Sequence, residues 1–202
     1  MSTSAVATID RSDFRNILVS GTKTGVVTGI AVVAYLALSR LLPAGFPREV
    51  MLSLVVLAAG VLVSLLPGEW AVARHTEGVA GAAAIGLCGT VVFMVIDIVV
   101  LRPFKAYPWT WDAIGGGSTW WYLPIWWMLG TFLAWMGGLL TAGRHGRGAA
   151  TRGQIALPVA GVGAALAVGG KLLGCPIQLP VLIGGGYTVA LTVMALLSLR
   201  KA

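Results

Sequence analysis

The chain has 202 residues, of which 57% are hydrophobic and only 10% are charged, and its formal net charge is +7. A soluble globular domain carries about 25% charged residues, so too few charges are present to coat a water-facing surface. The composition excludes an ordinary soluble domain and predicts an integral membrane protein. The basic residues are spread thinly between apolar segments, which favours membrane topology and contact with anionic headgroups over nucleic-acid binding.

Residues 1–23 form a polar segment ahead of the first apolar run. A secretory signal would place a short basic region directly before a short apolar region and a small-residue cleavage site. The apolar run here starts near Gly25, is longer than that, and lacks a convincing cleavage site. We therefore expect residues 1–23 to be a cytoplasmic segment and residues 24–202 to form one transmembrane domain.

Six apolar segments follow, each close to the ~20 residues that cross the hydrocarbon core as a helix. Their expected bounds are Thr24–Leu42, Val50–Leu66, Val79–Leu101, Trp120–Ala142, Ile155–Leu173 and Leu179–Leu199. The second is the shortest, ends at Pro67, and is expected to be thinned, tilted or extended. The segments are continuous rather than alternating with a period of two, which favours helices over strands. The sequence thus predicts an all-α, polytopic transmembrane helix bundle.

The distribution of Lys and Arg between the loops predicts the orientation of this bundle. One side would hold the N-terminus, the second and fourth loops and the C-terminus, with Arg11, Arg15, Lys23, Arg74, Arg144, Arg147, Arg152, Arg200 and Lys201. The other side would hold Arg40, Arg48, Arg102, Lys105 and Lys171. Loops on the cytoplasmic side of a membrane are enriched in Lys and Arg. We therefore expect both termini to be cytoplasmic in a multi-pass protein of the cell inner membrane.

Tryptophans are concentrated around the predicted outer loop, residues 102–119. Six of the eight tryptophans lie in or beside it: Trp109, Trp111, Trp120, Trp121, Trp126 and Trp127. One interpretation is an aromatic belt, because the tryptophan ring prefers the headgroup region. The other is a contact surface for a partner protein, a lipid or a pigment, since aromatic residues dominate binding hot spots.

Two ionisable residues, Asp97 and Lys171, lie inside apolar segments. A charge in hydrocarbon costs several kcal/mol, so it normally pairs or faces water. The third and fifth segments both run outward, which places the two residues at similar depth. We expect either a mutual ion pair or a pair between Asp97 and Arg102, with Lys171 extending its ammonium to the headgroups. A relay for protons or a solute is the functional alternative.

Small residues at four-residue spacing predict close helix packing. They include Gly21, Gly25 and Gly29 ahead of and within the first segment, and Ala160, Gly161 and Ala164 in the fifth. We expect this packing mainly within the chain, and otherwise against the helices of another subunit.

The remaining polar residues predict no cofactor, no metal site and no catalytic site. His75 and His145 fall in predicted cytoplasmic loops, whereas haem ligands would lie inside the membrane. Cys88 and Cys175 belong to different apolar segments, and we expect them to pack as small hydrophobic residues. An enzyme acting on lipid would need polar groups that converge, yet its best candidates, Asp112 and His145, lie on opposite predicted sides.

These features predict a non-catalytic membrane subunit that packs against, assembles or stabilises a larger membrane complex. Respiratory or photosynthetic assemblies are the expected hosts by analogy, since they contain small polytopic chains without cofactor ligands. The expected partners are other membrane subunits and lipids, with pigments involved only indirectly. The alternative is a small transporter or channel for a solute or ion that uses Asp97 and Lys171.

Overall fold

In the computed structural model, residues 11–103, 122–145 and 152–200 are described, and their regular structure is entirely helical. The helices are α1 (Phe14–Leu41), α2 (Phe46–Trp70), α3 (Thr76–Ile96), α4 (Tyr122–His145), α5 (Arg152–Leu172) and α6 (Leu179–Leu199). A π-helical segment, Asp97–Leu101, continues α3. Six helices are long and apolar enough to cross a membrane, which confirms the predicted all-α bundle of six spans.

Helix α1 begins at Phe14, within the segment predicted to be polar and separate. The Asp13 carboxylate caps it by accepting a hydrogen bond of 3.0 Å from the Asn16 backbone N–H, a stabilising arrangement at a helix N-terminus. Ser20 and Thr24 are buried on its inner face. The first turns of α1 therefore tolerate polar residues because these bond within the protein.

Helix α2 continues through Pro67 to Trp70, beyond its predicted end. Proline removes a helical hydrogen bond and usually breaks a helix. Here Pro67 is buried, and the adjacent Gly68 packs so closely on α4 that a methyl group on it would lie 2.9 Å from Thr141 Oγ1. Packing on α4 thus overrides the local signal, and the second span is extended.

Helix α2 occupies the centre of the bundle and contacts the other five helices. Helices α1 and α3 pack together on one flank, α5 and α6 pack together on the other, and α4 contacts both α3 and α6. The largest buried cluster joins α2, α4, α5 and α6 through Leu65, Met136, Leu140, Ile155, Val159, Tyr187, Ala190, Leu191 and Ala195.

Glycines set the spacing between α1 and α3. A methyl group on Gly25 would lie 2.7 Å from the Gly89 carbonyl oxygen, and one on Gly21 would meet the Cys88 side chain at 2.5 Å. The predicted intrachain packing of these two glycines is therefore confirmed. In α5, Gly163 rather than Gly161 makes the close approach, because Gly163 lies against the Tyr187 backbone.

Candidate functional site

Asp97 is the buried acid of the bundle's third span, with 6% of its surface exposed. It opens the π-helical segment, where its carbonyl oxygen accepts a hydrogen bond of 2.9 Å from the Arg102 backbone N–H. The Arg102 Nε also donates to Asp97 Oδ2 at 3.2 Å, which makes an ion pair. The structure therefore has the second arrangement expected from the sequence, in which Asp97 pairs with Arg102.

The other carboxylate oxygen of Asp97 is not satisfied in this way. Asp97 Oδ1 is buried and has no hydrogen-bond partner in the part of the chain that the structure describes. A buried polar atom without a partner is costly, and such atoms are uncommon in native proteins. Chemically, this oxygen is suited to accept a hydrogen bond from a ligand or to bind a cation.

Lys171 lies in the last turn of α5 and is exposed. Within residues 11–103, 122–145 and 152–200, no ion pair joins it to Asp97. The helices explain this: α3 packs on α1, α2 and α4, whereas α5 packs on α6 and, to a lesser extent, on α2. Lys171 is positioned to extend its ammonium along the surface of α5 toward a polar layer.

Two of the six candidate contact tryptophans, Trp126 and Trp127, have described side chains. Trp126 is half-buried, and Trp127 is 39% exposed. The indole N–H of Trp127 donates to Met94 Sδ at 3.0 Å, so this ring helps to join α4 to α3. Trp109, Trp111, Trp120 and Trp121 lie outside the described residues, as do Asp112 and the side chain of His145.

Trp135, which the sequence patterns did not single out, is exposed in the middle of α4. Its side chain is 47% exposed, and it lies near the centre of the span Pro124–Gly143. Met128, seven residues earlier on the same face, is also exposed. The signal in the sequence is a tryptophan placed at mid-span, since membrane tryptophans prefer the ends.

Among the residues that the structure describes, no group of three or more His, Cys, Asp or Glu side chains is arranged to hold a metal ion. Comparisons of the chain with known protein families, with curated proteins and with solved structures found no match.

Proposed function

We propose that the protein is a non-catalytic membrane subunit that packs against a larger membrane complex through the face of α4 that carries Met128 and Trp135. The observation that carries this proposal is the exposure of Trp135 at mid-span. An energy-transducing host, respiratory or photosynthetic, is proposed by analogy with other small polytopic chains.

The depth of Trp135 makes lipid a poor partner for its ring. It lies 11 residues beyond Pro124, or about 16 Å along the helix at 1.5 Å per residue. No water is present at that depth, and among the described residues the indole N–H of Trp135 has no acceptor. Leaving a polar hydrogen unpaired in an apolar medium costs about 1–3 kcal/mol. A neighbouring helix with a carbonyl or hydroxyl acceptor would remove this cost and cover the ring.

The outer face of α5 supports assembly with other membrane helices at a second surface. Methyl groups on Gly153, Gly161 or Gly169 would meet no atom within 4 Å, whereas Gly163 on the inner face packs against Tyr187. Glycine destabilises an exposed helix interior by about 1 kcal/mol relative to alanine. Glycines on an exposed face of a membrane helix therefore indicate a place where another helix packs closely against it.

Gentle solubilisation of the native membrane, followed by native electrophoresis, tests the proposal. The wild-type chain should migrate in a larger assembly. Trp135→Ala should weaken that association about 25-fold or more, because aromatic hot spots contribute at least about 2 kcal/mol. Trp135→Phe, which keeps a ring and loses the N–H, should have a smaller effect. The matched control is Ile30→Ala, at an exposed apolar position of α1. Migration of the wild type alone, or an unaffected Trp135→Ala assembly, would overturn the proposal.

A second candidate function is transport of a proton or small cation at Asp97. It is favoured by the buried, unsatisfied Asp97 Oδ1 and by the π-helical segment that contains this residue, because such segments are frequent at functional sites. The test is ion flux into liposomes that contain the purified chain. Flux that Asp97→Asn abolishes and Lys171→Met preserves would establish it, and equal flux in empty liposomes would eliminate it.

A further inference from the structure

Lys23 is a cation on the lipid-facing surface of α1. It is exposed, and so are the apolar residues Val19 and Val26 on the same side of the helix. Placing an ammonium among acyl chains costs free energy, so the methylene chain of Lys23 must extend until the ammonium reaches the headgroup layer. Side chains on a helix lean toward its N-terminus, which directs Lys23 toward the end of α1 that holds Arg15.

The Lys23 ammonium is positioned by an aromatic ring at that end. Its Nζ lies 5.8 Å from the centroid of the Trp70 ring, a cation–π contact. Trp70 is the last residue of α2 and is half-buried. Tryptophan at the end of a span marks the level of the headgroups, so the ammonium reaches the interface instead of remaining in hydrocarbon.

Hydrogen bonds fix the helix ends that carry these two groups. The Asn16 amide Nδ2 donates to the Trp70 carbonyl oxygen at 3.0 Å and to the Arg11 carbonyl oxygen at 2.7 Å. The Arg11 backbone N–H donates to the Ala71 carbonyl oxygen at 2.8 Å. The start of α1 and the end of α2 therefore form one joint, which holds the ring where the ammonium meets it.

The donors of Lys23 are not used up by this contact. An ammonium has three N–H donors, and in the described part of the chain Lys23 forms no ion pair with a carboxylate. Arg15 is exposed eight residues earlier on the same helix, about 12 Å away along the axis. Asp13, the acid at this helix end, is already bonded to the Asn16 N–H. The joint therefore carries three basic residues, Arg11, Arg15 and Lys23, and two acids, Asp13 and Glu69. Its net charge of +1 favours an anionic ligand.

We propose that Lys23, held by the Trp70 ring, binds the phosphate headgroup of an anionic phospholipid whose acyl chains lie along Val19 and Val26, with Arg15 adding positive charge at the same helix end. The positive charge of Lys23 attracts a negatively charged headgroup. The exposed apolar residues on both sides of Lys23 contact acyl chains, which favours a lipid over free phosphate. This site lies at the α1–α2 joint and does not depend on the proposed contact surface of α4.

Binding of phosphatidylglycerol to the purified full chain in detergent, with phosphatidylcholine for comparison, tests the site. The wild type should prefer phosphatidylglycerol, and the preference should decline with added salt because screening weakens exposed charge pairs. Lys23→Met should bind phosphatidylglycerol about fivefold more weakly, the effect of one basic residue near an anionic surface. Lys23→Arg should keep wild-type affinity. The matched control, Lys171→Met, removes an exposed lysine from the far end of α5 and should weaken binding less than Lys23→Met, because that variant keeps the ring contact that positions Lys23.

Several outcomes would overturn the site. Equal binding of the two lipids, wild-type affinity of Lys23→Met, or an equal loss in Lys171→Met would each do so. Displacement of the lipid by millimolar inorganic phosphate would assign the cations to a soluble anion instead. Circular dichroism checks that Lys23→Met keeps its helices. If that variant does not fold, the wild type tests the site alone: a preference for phosphatidylglycerol that does not decline with added salt would overturn it.

Discussion

The hydroxyl groups of Ser64 and Tyr187 lie 2.7 Å apart between α2 and α6, where both side chains are buried. The Tyr187 ring rests on Gly60, where a methyl group would come within 3.1 Å of the ring. On α5, Gly163 leaves room for the Tyr187 backbone. One residue, through its ring and its backbone, therefore sets the packing of three helices, and the polar atom of its side chain is paired inside the bundle.

Removing the Tyr187 hydroxyl should have a modest effect on stability. Tyr187→Phe should cost about 0.6 kcal/mol, the mean for hydrogen bonds between membrane helices, and no more than the maximum of about 1.7 kcal/mol. The Ser64 hydroxyl keeps a second bond, to the Val61 carbonyl oxygen at 3.4 Å. Tyr187→Ala should cost about 3–5 kcal/mol because it leaves a cavity. Unfolding in detergent measures both, and equal losses in the two variants would show that the ring's packing is unimportant.

Two glycines on different helices should respond in opposite ways to alanine. A methyl group on Gly137 would collide with the Ser64 carbonyl oxygen of α2, whereas one on Gly161 would meet nothing within 4 Å. Gly137→Ala should therefore lower the melting temperature by separating α4 from α2. Gly161→Ala should leave it unchanged or raise it, since alanine is favoured in helices by about 1 kcal/mol. Matching melting temperatures for the two variants would contradict the packing described for Gly137.

Because Asp97 pairs with Arg102, substituting Arg102 should affect stability much more than substituting Lys171. Arg102→Met should destabilise the protein by about 3 kcal/mol, near the lower end for a broken buried pair, because Arg102 is itself partly exposed. Adding Asp97→Asn should recover much of that loss, since no buried charge is then left unpaired. Lys171→Met should be nearly neutral. The three unfolding free energies decide this, and a loss in Lys171→Met as large as that expected for Arg102→Met would assign the pair to α5.

The number and type of elements follow from the sequence because lipid requires about 20 apolar residues for each helical span. Helix ends are less predictable from the sequence, since they depend on neighbouring helices. Asn16 and Ser20 lie in α1 because they bond within the protein, and α2 passes Pro67 because α4 covers it. Neither contact can be read from local polarity.

The partner of Asp97 illustrates the same limit. Arg102 is five residues away, which in an α-helix is about 140° around the axis and would point it elsewhere. In the π-helical turn, the Arg102 backbone N–H bonds to the Asp97 carbonyl oxygen. This turn places residues five apart on the same side of the helix, so Arg102 lies beside Asp97. The sequence identifies the buried acid, whereas the local change of helix type selects its partner.

The orientation of the bundle stays a prediction from the basic residues. In a background with Cys88→Ala and Cys175→Ala, a cysteine at Thr76, in the exposed start of α3, should react with a membrane-impermeant reagent only from the cytoplasm. A cysteine at Ala44, between α1 and α2, should react only from outside. The opposite pattern would invert the orientation and leave the six spans intact.

The joint between α1 and α2 depends on the Asn16 side chain, which bonds to two backbone carbonyl oxygens and accepts a hydrogen bond of 3.1 Å from Ser20. Asn16→Asp keeps the shape and the acceptor but loses both amide donors. We expect it to cost about 1–3 kcal/mol, because two hydrogen bonds that each contribute about 0.5–1.5 kcal/mol are lost.

Hydrogen exchange locates this effect. The Arg11 backbone N–H, bonded to Ala71, should lose protection in Asn16→Asp, because the segment that carries it would detach from the end of α2. The matched control is Thr22→Ala, which removes a hydroxyl bonded only within its own helix, to the Leu18 carbonyl oxygen. That variant should leave the exchange of Arg11 unchanged. If Arg11 stayed equally protected in Asn16→Asp, the joint would be held by its backbone bond alone, and Asn16 would not be what fixes Trp70 beneath Lys23.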